Sequence, residues 1–372
     1  MDIFYPHNSP DILLLIQYIF YYLIKYKEPM IFLDIFSDKQ IDDNKIKRAP
    51  FWFMRQAGRY LPEYRAIRQE LGGFLNLCYN PKQAAEVTIQ PIRRFGMDAA
   101  IIFSDILVIP HALGRKLTFG EGEGPLLDPL KEIAEVPELD EQKFLKFLEP
   151  VYEAINITRS LLPKETALIG FAGAPWTLSC YILQGKGGKD FAVARQALYE
   201  QPELVKKLIA VLTDAVALHL SAQIKAGANA LQIFDSWAGL VPSTHFNQLI
   251  IEPTKKIVEF LQKNHPNIPI IGFPKGCGAF LKDYAHTGVN AMGVDMHYPL
   301  ERAVLEIDEK FILQGNLDPA LLAASKENCL SEAKRIKNIM QDRKHIFNLG
   351  HGIVPSTPIE NVEILCKFLR GE

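Results

Sequence analysis

From Pro50 to the C-terminus the chain alternates between short apolar runs and longer stretches whose apolar residues recur every three or four positions. The runs are "PFWFM" (50–54), "AAIIF" (99–103), "ALIGFAG" (167–173), "ALQIF" (230–234), "IPIIGF" (268–273), "NAMGV" (290–294), "FILQG" (311–315) and "HIFNLG" (345–350). None shows the apolar–polar alternation of a half-exposed strand, so each is read as a strand buried on both faces, as in a parallel sheet. Helices fall between them with legible ends. Asn80 and Pro81 suit an N-cap and first turn, and that helix runs to Phe95 before Gly96. Pro202 opens a second long helix that ends by Gly227. Eight strands alternating with helices predict a single-domain (β/α)₈ barrel over residues 47–372. The competing doubly wound sheet normally carries a glycine fingerprint after its first strand, and no GxGxxG follows residues 50–54. The glycines of "GEGEGP" and "GKGGKD" read as loop turns.

The N-terminal stretch breaks this rhythm. Residues 12–24, "ILLLIQYIFYYLI", are apolar but short of the roughly 18–20 residues a membrane-spanning helix needs. No Lys or Arg precedes them and no small-residue cleavage site follows, which argues against a signal peptide. Residues 1–46 are therefore expected to lie outside the fold and to be dispensable, with Met30 a candidate later start, and deleting residues 1–29 is expected to leave folding and activity intact.

Composition narrows the function. At 372 residues, 48% hydrophobic and 23% charged, the chain is ordinary for a soluble globular protein. A formal net charge of −2 argues against a general nucleic-acid or membrane-surface binder, so an anionic ligand must meet a local cluster of cations. The five cysteines are scattered and form no CxxC, which suits reduced thiols in the cytoplasm. No HxC or HExxH spacing supports a metal site.

In a barrel the site lies where the strands end. The predicted tips carry Arg55, Gln56, Gly58 and Arg59; Ser104 and Asp105; "GAPWTLSCYILQG"; Asp235, Ser236 and Trp237; Lys275; Asp295; Asn316 and Asp318; and "GHG" with His351. Asp, Asn and Ser after a strand also cap helices and form turns, and Asp318 before Pro319 reads as such a cap. The arginines stand out: Arg55 and Arg59 flank a glycine at the barrel mouth, and Arg68 follows. Their planar forks match carboxylate or phosphate, although salt bridges to neighbouring acids would use the same residues.

"PFWFMRQAGRYLPEYR", "IIFSDILVIPHALG", "GFAGAPWTLSCYILQG", "IFDSWAG", "FPKG" and "NLGHGIVPSTP", in this order, resemble the uroporphyrinogen decarboxylase family. The resemblance covers residue 49 to the C-terminus. It implies a (β/α)₈ barrel, usually a homodimer, that works without metal or organic cofactor. It also implies removal of carbon dioxide from the four acetate side chains of uroporphyrinogen III, giving coproporphyrinogen III. By the same resemblance Arg55, Gln56, Ala57, Gly58 and Arg59 form the arginine-bearing binding segment, and Arg68 is an additional contact. Asp105 corresponds to the aspartate facing the pyrrole nitrogens, and Tyr181, Ser236 and His351 to the remaining polar contacts. Asp105 and Arg55 are the expected catalytic pair, with water or His351 as rival proton sources. The first 46 residues have no counterpart, and Cys277 stands where a smaller residue is usual. A cobamide-dependent methyltransferase shares this barrel but needs zinc ligands in an HxC pattern. A silent tetrapyrrole carrier would bind without releasing carbon dioxide.

Overall fold

A computed structural model describes residues 30–37, 48–120 and 124–372. Strands β1 (Ala99–Ile101), β4 (Ala167–Gly173), β5 (Ala230–Asp235), β6 (Ile270–Pro274), β7 (Ala291–Gly293), β8 (Ile312–Gln314) and β9 (His345–Ile346) form one parallel sheet in that order. A separate antiparallel ribbon pairs β2 (Leu117–Phe119) with β3 (Pro125–Leu127).

The eighth stave of the barrel is the stretch 50–54. On one side Phe51 pairs in parallel with Phe347 just beyond β9. On the other, the Asp98 N–H donates to the Phe51 carbonyl (3.1 Å), next to β1. The Asp98 carboxylate also accepts the Phe51 N–H (2.8 Å) and the forked guanidinium of Arg48 (2.6 and 2.7 Å). Residues 50–54 therefore close the sheet into the expected (β/α)₈ barrel, although few of their backbone groups make regular ladder bonds.

The helix ends follow the sequence closely. The Asn80 side chain accepts the Gln83 N–H at the start of helix Pro81–Phe95, and Gly96 ends it in the left-handed conformation. The second long helix spans Pro202–Lys225. Asp318 caps helix Pro319–Ala324 by accepting the Ala320 N–H (2.8 Å).

One boundary differs from the sequence reading. Residues Ile31–Asp34 form a short helix, and Phe32 (0% exposed) and Ile35 (4%) pack among the inward-facing residues of the barrel. The reason is steric. Strands β1, β4, β5 and β7 each begin with alanine (Ala99, Ala167, Ala230, Ala291), and these small side chains leave room at the N-terminal end of the barrel. Phe32 and Ile35 fill it, and the Lys344 ammonium, one residue before β9, donates to the Ser37 carbonyl (2.9 Å). Residues 30–37 thus belong to the fold. The apolar run 12–24 lies outside the described residues. Among those described, no helix is long and apolar enough to cross a membrane.

Candidate active site

A cleft of about 560 Å³ opens at the C-terminal ends of the strands. Its walls are apolar, with Ile101, Phe103, Phe171 and Phe234 among them, and the ribbon contributes Phe119 and Pro125. The Phe171 and Phe234 rings meet edge to face, and His351 stacks at 6.3 Å on Phe273. Such walls exclude water and strengthen every charge interaction inside them.

Nine of the ten residues expected at the site line this cleft: Arg55, Ala57, Gly58, Arg59, Arg68, Asp105, Tyr181, Ser236 and His351. Gln56 does not. It is fully buried, its Oε1 accepts the Phe53 N–H (3.1 Å), and its Nε2 donates to the Ala99 carbonyl (3.2 Å). Its side chain ties the 50–54 stave to β1.

The arginine segment is held in an uncommon conformation. Arg55 has φ +60°, where a non-glycine residue costs about 1–3 kcal/mol and persists only if its surroundings enforce it. The enforcement is visible on both sides of Met54. The Met54 N–H donates to Asn348 Oδ1 (3.1 Å), and the Met54 carbonyl accepts the Ile353 N–H (2.9 Å). The Arg55 side chain then runs over Gly352, where an added methyl would stand 2.7 Å from Arg55 Cγ. Among the described residues the side chains of Arg55, Arg59 and Lys275 form no ion pair or hydrogen bond with the protein. Arg68 lies over the Phe74 ring at 5.6 Å.

Asp105 is the one carboxylate among the described lining residues, against four lining cations (Arg55, Arg59, Arg68, Lys275). Its Oδ1 accepts the Leu107 N–H (2.8 Å). Burial pushes its pKa up to about 6, held back by that hydrogen bond and by Arg55. It is therefore ionised at neutral pH, at an energetic cost. His351 moves the other way: burial, then Arg55 and Lys275, lower it to about 3, so it is a neutral hydrogen-bonding group. Burial raises the Tyr181 phenol, which stays a proton-bearing donor.

The other polar strand tips are structural. The Asp235 carboxyl is buried and accepts the Thr177 hydroxyl (2.6 Å), and burial raises its pKa to about 7. Asp295 accepts the N–H groups of Gly276 (2.5 Å) and His297 (2.7 Å). Asn316 donates to the Asp295 and Tyr298 carbonyls. Cys277 is buried, and burial pushes its thiol up, as befits a core residue. Lys275, Trp237 and Ser104 also line the cleft; their place at strand tips was legible, but nothing in the sequence distinguished them from the structural tips.

Residues 32–371 match the family described as Uroporphyrinogen decarboxylase (URO-D). A uroporphyrinogen decarboxylase of Rhodospirillum rubrum is 49% identical over 323 residues, covering 87% of this chain and 93% of that protein. One from Rickettsia bellii is 48% identical over 329 residues, covering 88% and 95%. Among solved structures, a methyltransferase from Methanosarcina mazei superposes with TM-score 0.74 at 20% identity, covering 91% of this chain and 97% of that one, a likeness of fold alone.

Proposed function

Because this chain belongs to the uroporphyrinogen decarboxylase family, we propose that its cleft takes uroporphyrinogen III and removes its four acetate carboxyls to give coproporphyrinogen III. The chain is a decarboxylase of tetrapyrrole biosynthesis. The observation that carries the finer reading is the charge layout: among the described residues, four cations line an apolar cleft that holds one carboxylate, Asp105. That is complementary to a macrocycle with eight carboxylates on its rim and four pyrrole N–H groups at its centre.

Arg55, Arg59 and Arg68 receive rim carboxylates, each charge-assisted bond contributing about 1.5–3 kcal/mol. Gly58 and Ala57 let the backbone pass close to the ring, and Tyr181, Ser236 and neutral His351 supply hydrogen bonds. The pyrrole N–H groups donate to Asp105. A proton added to the ring carbon beside an acetate-bearing carbon creates an iminium-like cation. The carboxyl then leaves as carbon dioxide, and its bonding pair moves into the ring to form an exocyclic methylene. A second proton converts that methylene to a methyl group, and loss of the first restores the pyrrole. One proton is consumed per carboxylate lost. Asp105, fixed and ionised, stabilises the cation, the kind of preorganised electrostatics that often dominates catalysis. Arg55 sits over the reacting edge and delivers the proton through a water it orients; its own guanidinium, with a pKa above about 12, is a reluctant acid. His351, pushed down to about 3, is not protonated at neutral pH and serves as a hydrogen-bonding partner. No step requires a metal or organic cofactor. Five buried, unpaired cysteines suit a reducing cytoplasm, and the family resemblance supports a homodimer.

The test is anaerobic incubation with uroporphyrinogen, with products oxidised and separated by carboxylate number. Stepwise passage from eight to four carboxylates is expected; binding without carbon dioxide release would leave only a carrier. Gly352→Ala should lower kcat/KM by about tenfold, because the methyl displaces Arg55 from its place in the cleft. Wild-type turnover in that variant would show that Arg55 needs no fixed position.

A further inference from the structure

The three arginines all come from one side of the barrel. Arg55 and Arg59 follow the 50–54 stave, and Arg68 lies on the helix Pro62–Glu70 that continues from it. In the closed ring β6 stands four places away from that stave, on the far side of the mouth. Lys275 follows directly after β6, and among the described lining residues it is the only cation contributed by that far half.

Its position is fixed by backbone bonds on every side. The Lys275 N–H donates to the Asp235 carbonyl (3.0 Å), and the Lys275 carbonyl accepts the Gly239 N–H (3.0 Å). The next N–H, of Gly276, is taken by the Asp295 carboxylate. The side chain projects over the Trp237 ring, with Nζ 5.6 Å from the centroid. Among the described residues no carboxylate forms an ion pair with it. Asp235 is buried and accepts the Thr177 hydroxyl through Oδ1, its Oδ2 having no hydrogen-bond partner among the described residues, while Asp295 accepts the Gly276 and His297 N–H groups. A half-buried lysine on a rigid turn, facing an apolar cleft with no counterion among the described residues, is a site suited to an anion from outside.

We propose that Lys275 is a second carboxylate anchor, which binds a pendant carboxylate on the rim opposite the one held by Arg55, Arg59 and Arg68. This rests on the reading that the substrate is a polycarboxylate macrocycle. A ring seated over Asp105 presents carboxylates all round, and the arginines reach only one side of it. His351 follows β9, next to the stave, which leaves Lys275 to hold the far edge down and keep the ring level over Asp105.

The experiment compares wild type, Lys275→Met and Lys275→Arg with uroporphyrinogen under anaerobic conditions. Methionine keeps the apolar stem against Trp237 and removes the charge. KM is expected to rise about tenfold, with kcat within about twofold of wild type. The fall of affinity with added salt should become shallower, because one ion pair with the substrate is gone. Arginine should restore most of the affinity and the salt dependence. An unchanged KM and salt slope in Lys275→Met would overturn the proposal. So would loss of activity in both variants together with a lower denaturation midpoint, which would make Lys275 a structural part of the turn. Wild-type protein that releases no carbon dioxide would instead defeat the assignment of the reaction, and a binding titration of the same three proteins would still report on Lys275.

Discussion

Replacing Asp105 with asparagine should lower kcat by about 10²–10³ while leaving the protein at least as stable at neutral pH. The two halves of this expectation come from the same burial. The carboxylate is the one negative group among the described residues of the cleft lining, and the developing iminium-like cation has no other fixed partner. The amide keeps the size of the side chain and can still accept the Leu107 N–H, so the loop after β1 should stay in place. What it loses is the charge, and one of its N–H groups can then confront the pyrrole N–H groups. Burial of the Asp105 carboxyl also sets the sign of the stability change. The folded pKa is raised from 3.8 to about 6, so the folded state binds the proton more tightly than the unfolded chain does. Stability contributed by that proton is present below the unfolded value and is lost as pH rises through about 6. The neutral amide escapes this loss. In wild type, kcat/KM should fall as pH drops through about 6, and the asparagine variant should not show that limb. Denaturant unfolding at pH 7, together with the pH–rate profile, checks all three points. A stable variant with near-normal turnover would remove Asp105 from the mechanism.

Phe32→Ala should destabilise the barrel by about 3–5 kcal/mol, the usual result of emptying a fully buried aromatic site. Phe32 is 0% exposed and sits with Ile35 among Ala99, Ala167, Ala230 and Ala291. Those alanines cannot expand to fill the void, and rigid strand backbones cannot collapse into it, so the loss should fall at the upper end for a large-to-small change. Phe36, only partly buried and meeting Phe32 edge to face at 5.9 Å, should tolerate alanine better. The measurement is the denaturant midpoint at constant slope, because a changed slope would mean a change in the surface exposed on unfolding. Equal midpoints for wild type and Phe32→Ala would return residues 30–37 to the status of an appendage.

The partners of Phe32 are not written in its local sequence. The apolar character of "IFLDIF" is plain, but apolar character names no partner. Only closure of the barrel brings four strand-initial alanines into one ring and creates the hole that Phe32 occupies. The strands themselves were legible because a parallel strand covered on both faces must be apolar at successive positions. Helix ends such as Asn80 and Gly96 were legible because a cap satisfies backbone groups a residue or two away.

The site divides along the same line. The residue types were set by local sequence: arginines around a glycine, and an aspartate directly after an apolar strand. Which polar tip faces the cleft was not. Ser236 lines it, while its neighbour Asp235 turns inward to Thr177, 58 residues earlier. Gln56 looks like a ligand residue beside Arg55, yet its amide is consumed by the Phe53 N–H and the Ala99 carbonyl. Lys275 resembles any loop lysine until the sheet order places it across the mouth from the arginines, with no counterion among the described residues. Protonation states are still further from the sequence. The aspartate raised to about 6 and the histidine lowered to about 3 owe their shifts first to burial and then to charges brought near by the fold. Hydrophobic periodicity and capping act over a few residues and so are written along the chain. Exposure, pairing and electrostatic potential depend on residues far apart in sequence, and only the closed barrel decides them.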